Sequence, residues 1–469
     1  MPLVTPELNN VIPDTDTDFN NYRNISILPT IEKLIEKHVS DILTDYLKTN
    51  KIISKIQYGY QKGRSTETLL RDFADSINDK LDRKKHILVT FVDFSKAFDV
   101  LDKETLIKSM KNIGVKGAEL KFFENYLTDR KFVVKVNKTL SEPTEICTGV
   151  PQGSNLGPIL YTVYTNDLEQ YLQGPNTELY LYCDDLAIVT YGNTVEEATQ
   201  TMQNTYTKLQ KYCHDKYLTI NTKKTKLLYI KSTQYENRQI RIIAHSNECL
   251  HNRQQSCQCL DEIENVDEYL YLGLTIDSRF KFDRHINNLC NKLRTVLYYF
   301  YKIQPYLNCK TLKMIYTALA ESRVRYGIQA WGNTSKTFIE KVEKLQSRII
   351  KVIARKSNTQ PEINTIQDEL RYFKKMELLP ARKMYKYIII IKNYFNNEFK
   401  QKINHPTATR LITRQQLIVP NVTNENGKRI KRCFKYVIPF TFNQIPEHLK
   451  ELTSYKKIKE EIKKWMLQN

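Results

Sequence analysis

The stretch Leu179-Tyr180-Leu181-Tyr182-Cys183-Asp184-Asp185-Leu186-Ala187-Ile188-Val189 constrains the fold more than any other. Two adjacent carboxylates stand between apolar flanks, in which Leu179 and Leu181, then Leu186 and Ile188, alternate. Alternation at a period of two marks a β-strand, so the stretch predicts strand, tight turn, strand, with the Asp pair at the turn. Neighbours on a straight strand point to opposite faces, and a turn is what lets successive carboxylates converge. An unpaired charge removed from water is heavily penalised, and a divalent cation is one remedy. A surface hairpin whose tip is Asp-Asp is the other reading of the same residues.

A chain of 469 residues exceeds what one core usually holds, so about two to four domains or subdomains are expected. Its 72 Lys+Arg against 52 Asp+Glu give a net charge of +20, a balance suited to a polyanionic partner and above all to nucleic acid. The 30 tyrosines and 18 phenylalanines supply rings for base stacking as well as for cores. Nine cysteines, an odd number in a long chain with no signal-peptide pattern, argue for a reducing compartment. Apolar runs stay far below membrane-spanning length: Ile388 to Ile391 is bounded by lysines. A disulfide scaffold and a membrane protein are thereby excluded, and the Asn-X-Ser/Thr triplets at Asn24, Asn137, Asn333 and Asn421 carry no weight.

Residues 1–21 read as a polar, flexible segment with an Asp-Thr-Asp-Thr-Asp run. Beyond Pro29 an amphipathic helix is predicted with Ile31, Leu34, Ile35, His38 and Ile42 inward and Lys33, Glu36 and Lys37 outward. Gln57-Tyr58-Gly59-Tyr60-Gln61-Lys62-Gly63-Arg64-Ser65-Thr66 is a Gly-punctuated basic loop before a helix. It fits a phosphate site at a helix start, or an ordinary loop-to-helix junction. His86 to Asp93 has the character of a buried strand ending in a carboxylate, where chemistry is usually placed in α/β sheets. Asp99 is expected to bond locally at the start of the following helix.

Gly149-Val150-Pro151-Gln152-Gly153-Ser154 supplies a rigid turn with little side-chain bulk. Val195 to Tyr217 predicts a long helix, and Asn221-Thr222-Lys223-Lys224-Thr225 a basic turn before a strand at Leu227 to Ile230. Residues 236–262 form a polar insertion with His245, Cys249, His251, Cys257 and Cys259. His245, Cys249, Cys257 and Cys259 are four candidate zinc ligands; reduced cysteines in a surface insertion are the bland reading. Tyr269 to Asp277 reads as a hairpin. His285 to Arg355 is almost wholly helical, with Leu289, Leu293, Leu297, Ile315, Leu319 and Trp331 as expected core. Helices are predicted again at Pro380 to Phe395 and Tyr455 to Leu467. Lys428 to Arg432 is a basic cluster for nuclear localisation or phosphate contact, or a solvated face.

Taken together, these segments resemble the reverse transcriptase of non-LTR (LINE-type, jockey- or CR1-like) retrotransposons from Tyr22 to the tail. The family's aromatic-Ala-Asp-Asp box stands here as Tyr182-Cys183-Asp184-Asp185, its Asp strand as Phe91 to Asp99, and its Gly-Val-Pro-Gln-Gly-Ser turn as Gly149 to Ser154. Its Asn-X-X-Lys-Thr segment is Asn221 to Thr225, and Tyr271-Leu272-Gly273 resembles its primer grip. The resemblance implies an α/β (α+β) right-hand polymerase. Fingers and palm would occupy 22–284 with the Cys/His insertion 236–262, a helical thumb 285–356, and a basic α-rich region 357–469.

It further implies RNA-directed DNA polymerisation with two Mg²⁺ ions, Mn²⁺ being a substitute, on an RNA template with a DNA primer and deoxynucleoside triphosphates. Asp93 and Asp184 would hold the ions, assisted by Asp185 and the carbonyl of Phe94. Ser95, Phe98, Gln152 and Gly153 would line the nucleotide site, with Phe98 excluding ribonucleotides. Arg23 and Arg64 would contact phosphates, and Lys224 would protonate pyrophosphate. Action in the nucleus, after cytoplasmic synthesis and RNA association, is expected. Departures from the pattern are Cys183 for Ala, Asn24 for Pro, Asn155 for an aliphatic, and the acidic Asp14 to Asp18. The expected absence of an N-terminal endonuclease suggests a fragment, and an inactive nucleic-acid-binding remnant is the alternative; RNA synthesis is the reading that Phe98 argues against.

Overall fold

The computed structural model describes residues 3–8, 22–136, 139–230, 240–245, 261–357, 366–394, 419, 433–452 and 454–468. The Asp14 to Asp18 run, Cys249, His251, Cys257, Cys259 and the Lys428 to Arg432 cluster lie outside the described residues. The chain divides into two compact units. The first comprises Met1–Ser65, Leu88–Tyr229 and Asn237–Val266, the second Thr66–Ile87, Ile230–Glu236 and Asp267–Asn469.

The elements begin with β1 (Leu3–Leu8), β2 (Tyr22–Ile27), α1 (Thr30–Thr49), α2 (Thr66–Asp82) and β3 (His86–Val92). Next come α3 (Lys103–Asn112), α4 (Gly117–Leu127), β4 (Lys131–Val136), β5 (Thr139–Leu140), β6 (Thr144–Glu145) and α5 (Gly157–Tyr164). A short helix α6 (Leu168–Leu172), the hairpin β7 (Thr177–Tyr182) and β8 (Asp185–Gly192), α7 (Val195–Asp215) and β9 (Lys226–Ile230) follow.

A five-stranded sheet carries the first unit, in the order β10 (Glu264–Asn265), β9, β3, β8, β7. Its centre is β3, buried at all seven residues, as the largely apolar segment His86 to Val92 requires of a strand covered on both faces. Helix α7 packs on β8 and presents Met202, Tyr206 and Leu209 to the sheet. Leu160 and Val163 of α5 join the same core. Burial of each such side chain stabilises by about 1.5–3 kcal/mol, so the sheet is a stiff platform for whatever its strand ends carry. A second sheet in the order β2, β1, β4, β5, with β6 on β4, completes this unit.

Helix α1 forms where its spacing predicts but turns the other way. Glu36, Leu43 and Leu47 are buried, whereas Ile31, Leu34, Ile35 and Ile42 are exposed. The cause is a buried carboxylate: Glu36 accepts the Asn155 N–H at 2.8 Å and the Tyr126 hydroxyl. An unpartnered buried charge would be far costlier than exposed aliphatics, so Glu36 sets the rotation of the helix. Asn155 also donates its amide to the Lys33 carbonyl at 2.9 Å, which gives this departure from the family pattern a structural role.

In the second unit the hairpin β11 (Glu268–Tyr271) and β12 (Leu274–Asp277) precedes a run of helices that includes α8 (Asp283–Ile303), α9 (Cys309–Tyr316), α10 (Lys336–Ala354) and α11 (Ala381–Tyr394). Leu289, Leu293 and Trp331 are core as expected, but Leu319 is exposed. Leu319 sits where the helix widens into a π-helical turn at Thr317–Glu321, which breaks the 3.6-residue phase on which its inward placement rested. Among the described residues no helix is long and apolar enough to cross a membrane.

Candidate active site

The site is assembled at the ends of β3, β7 and β8. Tyr182 pairs with Asp185, leaving Cys183 and Asp184 as a two-residue turn. Cys183 takes the left-handed backbone, φ +60°, where a non-glycine residue is strained by about 1–2 kcal/mol. A side chain far off in sequence holds it there. Gln57, itself buried, accepts the N–H of Cys183 at 3.0 Å and of Gly59 at 2.7 Å, and donates to the Cys183 carbonyl at 3.4 Å. Alongside, Tyr58 N–H donates to Leu181 O at 2.7 Å and Leu181 N–H to Ile56 O at 2.9 Å, so residues 56–58 run beside β7 as an added edge. A Cβ on Gly59 would lie 2.6 Å from the Cys183 sulfur, so this approach needs glycine.

Asp93 emerges from β3 beside this turn. Its N–H donates to Thr225 Oγ1 at 3.3 Å, its carbonyl accepts Asn221 N–H at 2.8 Å, and Ser95 N–H donates to Thr219 O at 2.8 Å. Phe94 is buried and bridged to Ile220. The Asn-X-X-Lys-Thr turn is thus fastened to the exit of β3, and exposed Lys224 rides on it. Asp185 lies within the field of two other carboxylates: loss of solvation, then the charges of Asp184 and Asp93, push its carboxyl up to about 6. Although Asp185 keeps an exposed edge, its charged form is disfavoured by its neighbours.

The Gly149 to Ser154 turn closes the other side. Val150 N–H donates to Phe98 O at 2.9 Å and Gly149 N–H to Leu101 O at 2.8 Å, while Gln152 donates its amide to both oxygens of Asp99 at 3.0 Å. Asp99 therefore bonds across to the turn, and Asp102 caps α3 instead, accepting Thr105 N–H at 2.8 Å. Gly153, φ +98°, lies so close to β2 that a Cβ would sit 3.2 Å from Ser26 O; Ser26 N–H donates to Gln152 O at 2.8 Å. Arg23 stands on β2 opposite Glu7, and its side chain lies outside the described residues. Phe98 rests its ring 5.0 Å from that of Tyr161. The Tyr161 hydroxyl is fully buried without a hydrogen-bond partner among the described residues, and the charge of Asp184 bears on it.

Arg64 is directed into its own loop, donating to the carbonyls of Lys55 at 2.5 Å and Gln57 at 2.9 Å with its guanidinium 4.6 Å from the Tyr58 ring. Tyr271, Leu272 and Gly273 belong to the second unit, where they form the β11–β12 turn with φ +44° at Leu272 and +81° at Gly273. The Tyr326 hydroxyl donates to Leu272 O at 2.5 Å. His245 exchanges hydrogen bonds with the Gln210 amide through its backbone, at 3.1 and 2.9 Å.

Among the described residues no group of three or more His, Cys, Asp or Glu side chains forms a ready chelating site. The donor chemistry at the turn nevertheless suits a hard divalent ion such as Mg²⁺, which binds through one or two carboxylates and completes its shell with water and phosphate oxygens. Cys183 does not compete: burial, the nearby Asp184 and Asp185 charges adding to it, pushes its thiol up to about 12, and thiols bind metals as thiolates. Sequence reasoning missed Gln57, Tyr161 and the Asp99–Gln152 pair. Only Gln57 carried a signal, its place two residues before a glycine in the Gly-punctuated loop.

A family model described as "Reverse transcriptase (RNA-dependent DNA polymerase)" matches residues 12–276. The chain is 28% identical over 347 residues to the Drosophila melanogaster "Probable RNA-directed DNA polymerase from transposon BS", covering 71% of this chain and 36% of that protein. To the Drosophila melanogaster "RNA-directed DNA polymerase from mobile element jockey" it is 28% identical over 356 residues, covering 72% of this chain and 36% of the relative. The chain thus spans about a third of the length of these relatives. Among solved structures, apo telomerase from Candida tropicalis aligns with 10% identity and a TM-score of 0.40 over 88% of this chain and 68% of that one.

Proposed function

The chain belongs to the reverse transcriptase family, and we propose that it extends a DNA primer along an RNA template with deoxynucleoside triphosphates. Polymerases of this family generally use divalent metals; here the finer assignment is two Mg²⁺ ions held by Asp93 and Asp184, with Asp185 and the Phe94 carbonyl assisting. Bound ions supply Lewis acidity to the primer hydroxyl and the triphosphate. The observation that carries the reading is that the charges of Asp93 and Asp184 both bear on Asp185, at neighbouring strand ends of one sheet.

The remaining roles belong to the chain's own side chains. Phe98, backed by Tyr161, presents a rigid ring to the nucleotide sugar and leaves no room for a 2′-hydroxyl. Gln152, its amide oriented by Asp99, and Gly153 border the base and ribose; Ser95 lies at the same strand exit. Arg23 is assigned to the phosphates through its fork of donors, and Arg64 holds the loop that braces the Asp-Asp turn and adds positive charge there. Lys224, exposed on a turn clasped to Asp93, delivers a proton to leaving pyrophosphate. Tyr271, Leu272 and Gly273 are assigned to the primer strand. A DNA target places the reaction in the nucleus. The test is extension of a labelled DNA primer annealed to RNA by the purified chain with Mg²⁺. Template-directed products of successive lengths are expected, and their complete absence with folded protein overturns the proposal.

A further inference from the structure

The exposed face of α8 is unusual in both charge and ring content. From Arg284 to Ala320 the chain contains no Asp or Glu, whereas Lys292, Arg294 and Lys302 are exposed on α8 itself. Asn287, Asn288 and Asn291 add exposed amides to the same helix. Tyrosines complete it: Tyr298, Tyr299 and Tyr301 are 57%, 55% and 51% exposed, and Tyr306 just beyond the helix is 86% exposed. The inward residues Leu289, Leu293, Val296 and Phe300 already fill the core, so the outward rings are not displaced core residues.

Four open phenol rings are poorly explained by packing. Lys302 stands over the Tyr298 ring, 5.7 Å from its centroid, and Tyr298 and Tyr299 meet edge to face at 5.6 Å, yet both residues stay more than half exposed. A base pair buries its faces in the helical stack and offers rings nothing to stack upon, whereas an unpaired base offers both faces. Lysines and arginines interleaved with rings meet the phosphates of the same strand. The amides suit 2′-hydroxyls, groups that only RNA presents.

We propose that this face of α8, with Tyr306, is a docking surface for unpaired RNA, a single-stranded segment of the template molecule. The inference rests on the reverse transcriptase reading for the identity of the strand, but its test does not require polymerisation. Fluorescence anisotropy of the full chain would compare three labelled probes: an unstructured RNA strand, a DNA strand of the same sequence, and an RNA–DNA duplex. Replacing Tyr298, Tyr299 and Tyr301 together by Leu should weaken RNA-strand binding by about tenfold or more, since a stacked base is worth several-fold at least. Duplex binding should change by no more than about twofold, because it depends on phosphate contacts. The matching Phe triple variant, which keeps the rings, should bind RNA as the unaltered chain does. Equal losses for strand and duplex, equal affinity for the RNA and DNA strands, or unchanged RNA binding in the Leu variant would each overturn the proposal. Primer extension by the same preparations reports on the catalytic reading separately.

Discussion

Two tight hairpins, β7–β8 and β11–β12, solve one backbone problem by different means. Each places a side-chain-bearing residue in the left-handed region: Cys183 at φ +60° and Leu272 at φ +44°. Each strained turn is held by one side chain distant in the chain, Gln57 for the first and Tyr326 for the second. Gln57 grips the Cys183 peptide from both its N–H and its carbonyl, whereas the Tyr326 hydroxyl meets the Leu272 peptide at its carbonyl and is shared with Thr66 Oγ1 at 3.2 Å. The difference follows from charge. The first turn must hold Asp184 and Asp185 against mutual repulsion and against Asp93, while the second bears no charge. A turn asked to concentrate charge needs a stiffer brace than one asked only to reverse direction.

The largest effect expected from breaking this contrast is at the charge itself. Asp184→Asn should slow single-turnover primer extension on the order of a thousandfold, the scale of removing a central electrostatic element, with the folded state retained. The braces come next. Gln57→Leu orphans the buried N–H groups of Cys183 and Gly59, each costing about 1–3 kcal/mol. Extension should fall about tenfold or more at unchanged primer–template affinity, and Gln57→Glu, which keeps an acceptor, should recover part of it. Tyr326→Phe removes the hydroxyl's bonds to Leu272 O and Thr66 Oγ1, each worth about 1 kcal/mol, and should lower Tm while leaving the Mg²⁺ dependence of extension unaltered. If the two brace variants affect extension equally, the contrast between the hairpins is wrong.

Asp99→Ala releases the Gln152 amide and should raise KM for the deoxynucleotide about fivefold with kcat nearly constant, on the scale of a hydrogen bond to a charged group. A matching fall in kcat would place Asp99 in the chemistry instead. The smallest effect separates the turn residues. Leu272→Gly should stabilise the chain by about 1 kcal/mol in thermal unfolding by removing left-handed strain. Cys183→Gly should gain less, because it also loses a half-buried thiol that shares a hydrogen bond with Tyr60. Equal gains would mean that the thiol contributes nothing.

What the sequence made legible follows from locality. Alternation announced the hairpin at Asp184, the apolar run announced β3, and the Gly-Val-Pro-Gln-Gly-Ser pattern announced a turn that Gly149 and Gly153 need for their positive φ. Long-range polar pairing was not legible. Glu36 is oriented by Asn155 and Tyr126, 119 and 90 residues away, and nothing in the spacing of α1 reveals that its apolar stripe faces solvent. Gln57 meets Cys183 across 126 residues, and Gln152 meets Asp99 across 53. Hydrophobic periodicity measures a segment's average environment, so one buried carboxylate can overrule it without leaving a local trace.

The central claim is that Asp93, 91 residues before Asp184, belongs to the same reacting centre as the hairpin. Asp93→Asn tests it most directly, in primer extension on an RNA template beside the unaltered chain at equal fold and equal Mg²⁺. The expected result is a loss on the order of that of Asp184→Asn, with the double variant no worse than either single one, as for groups that act as a unit. An Asp93→Asn protein that extends the primer at the unaltered rate would contradict it.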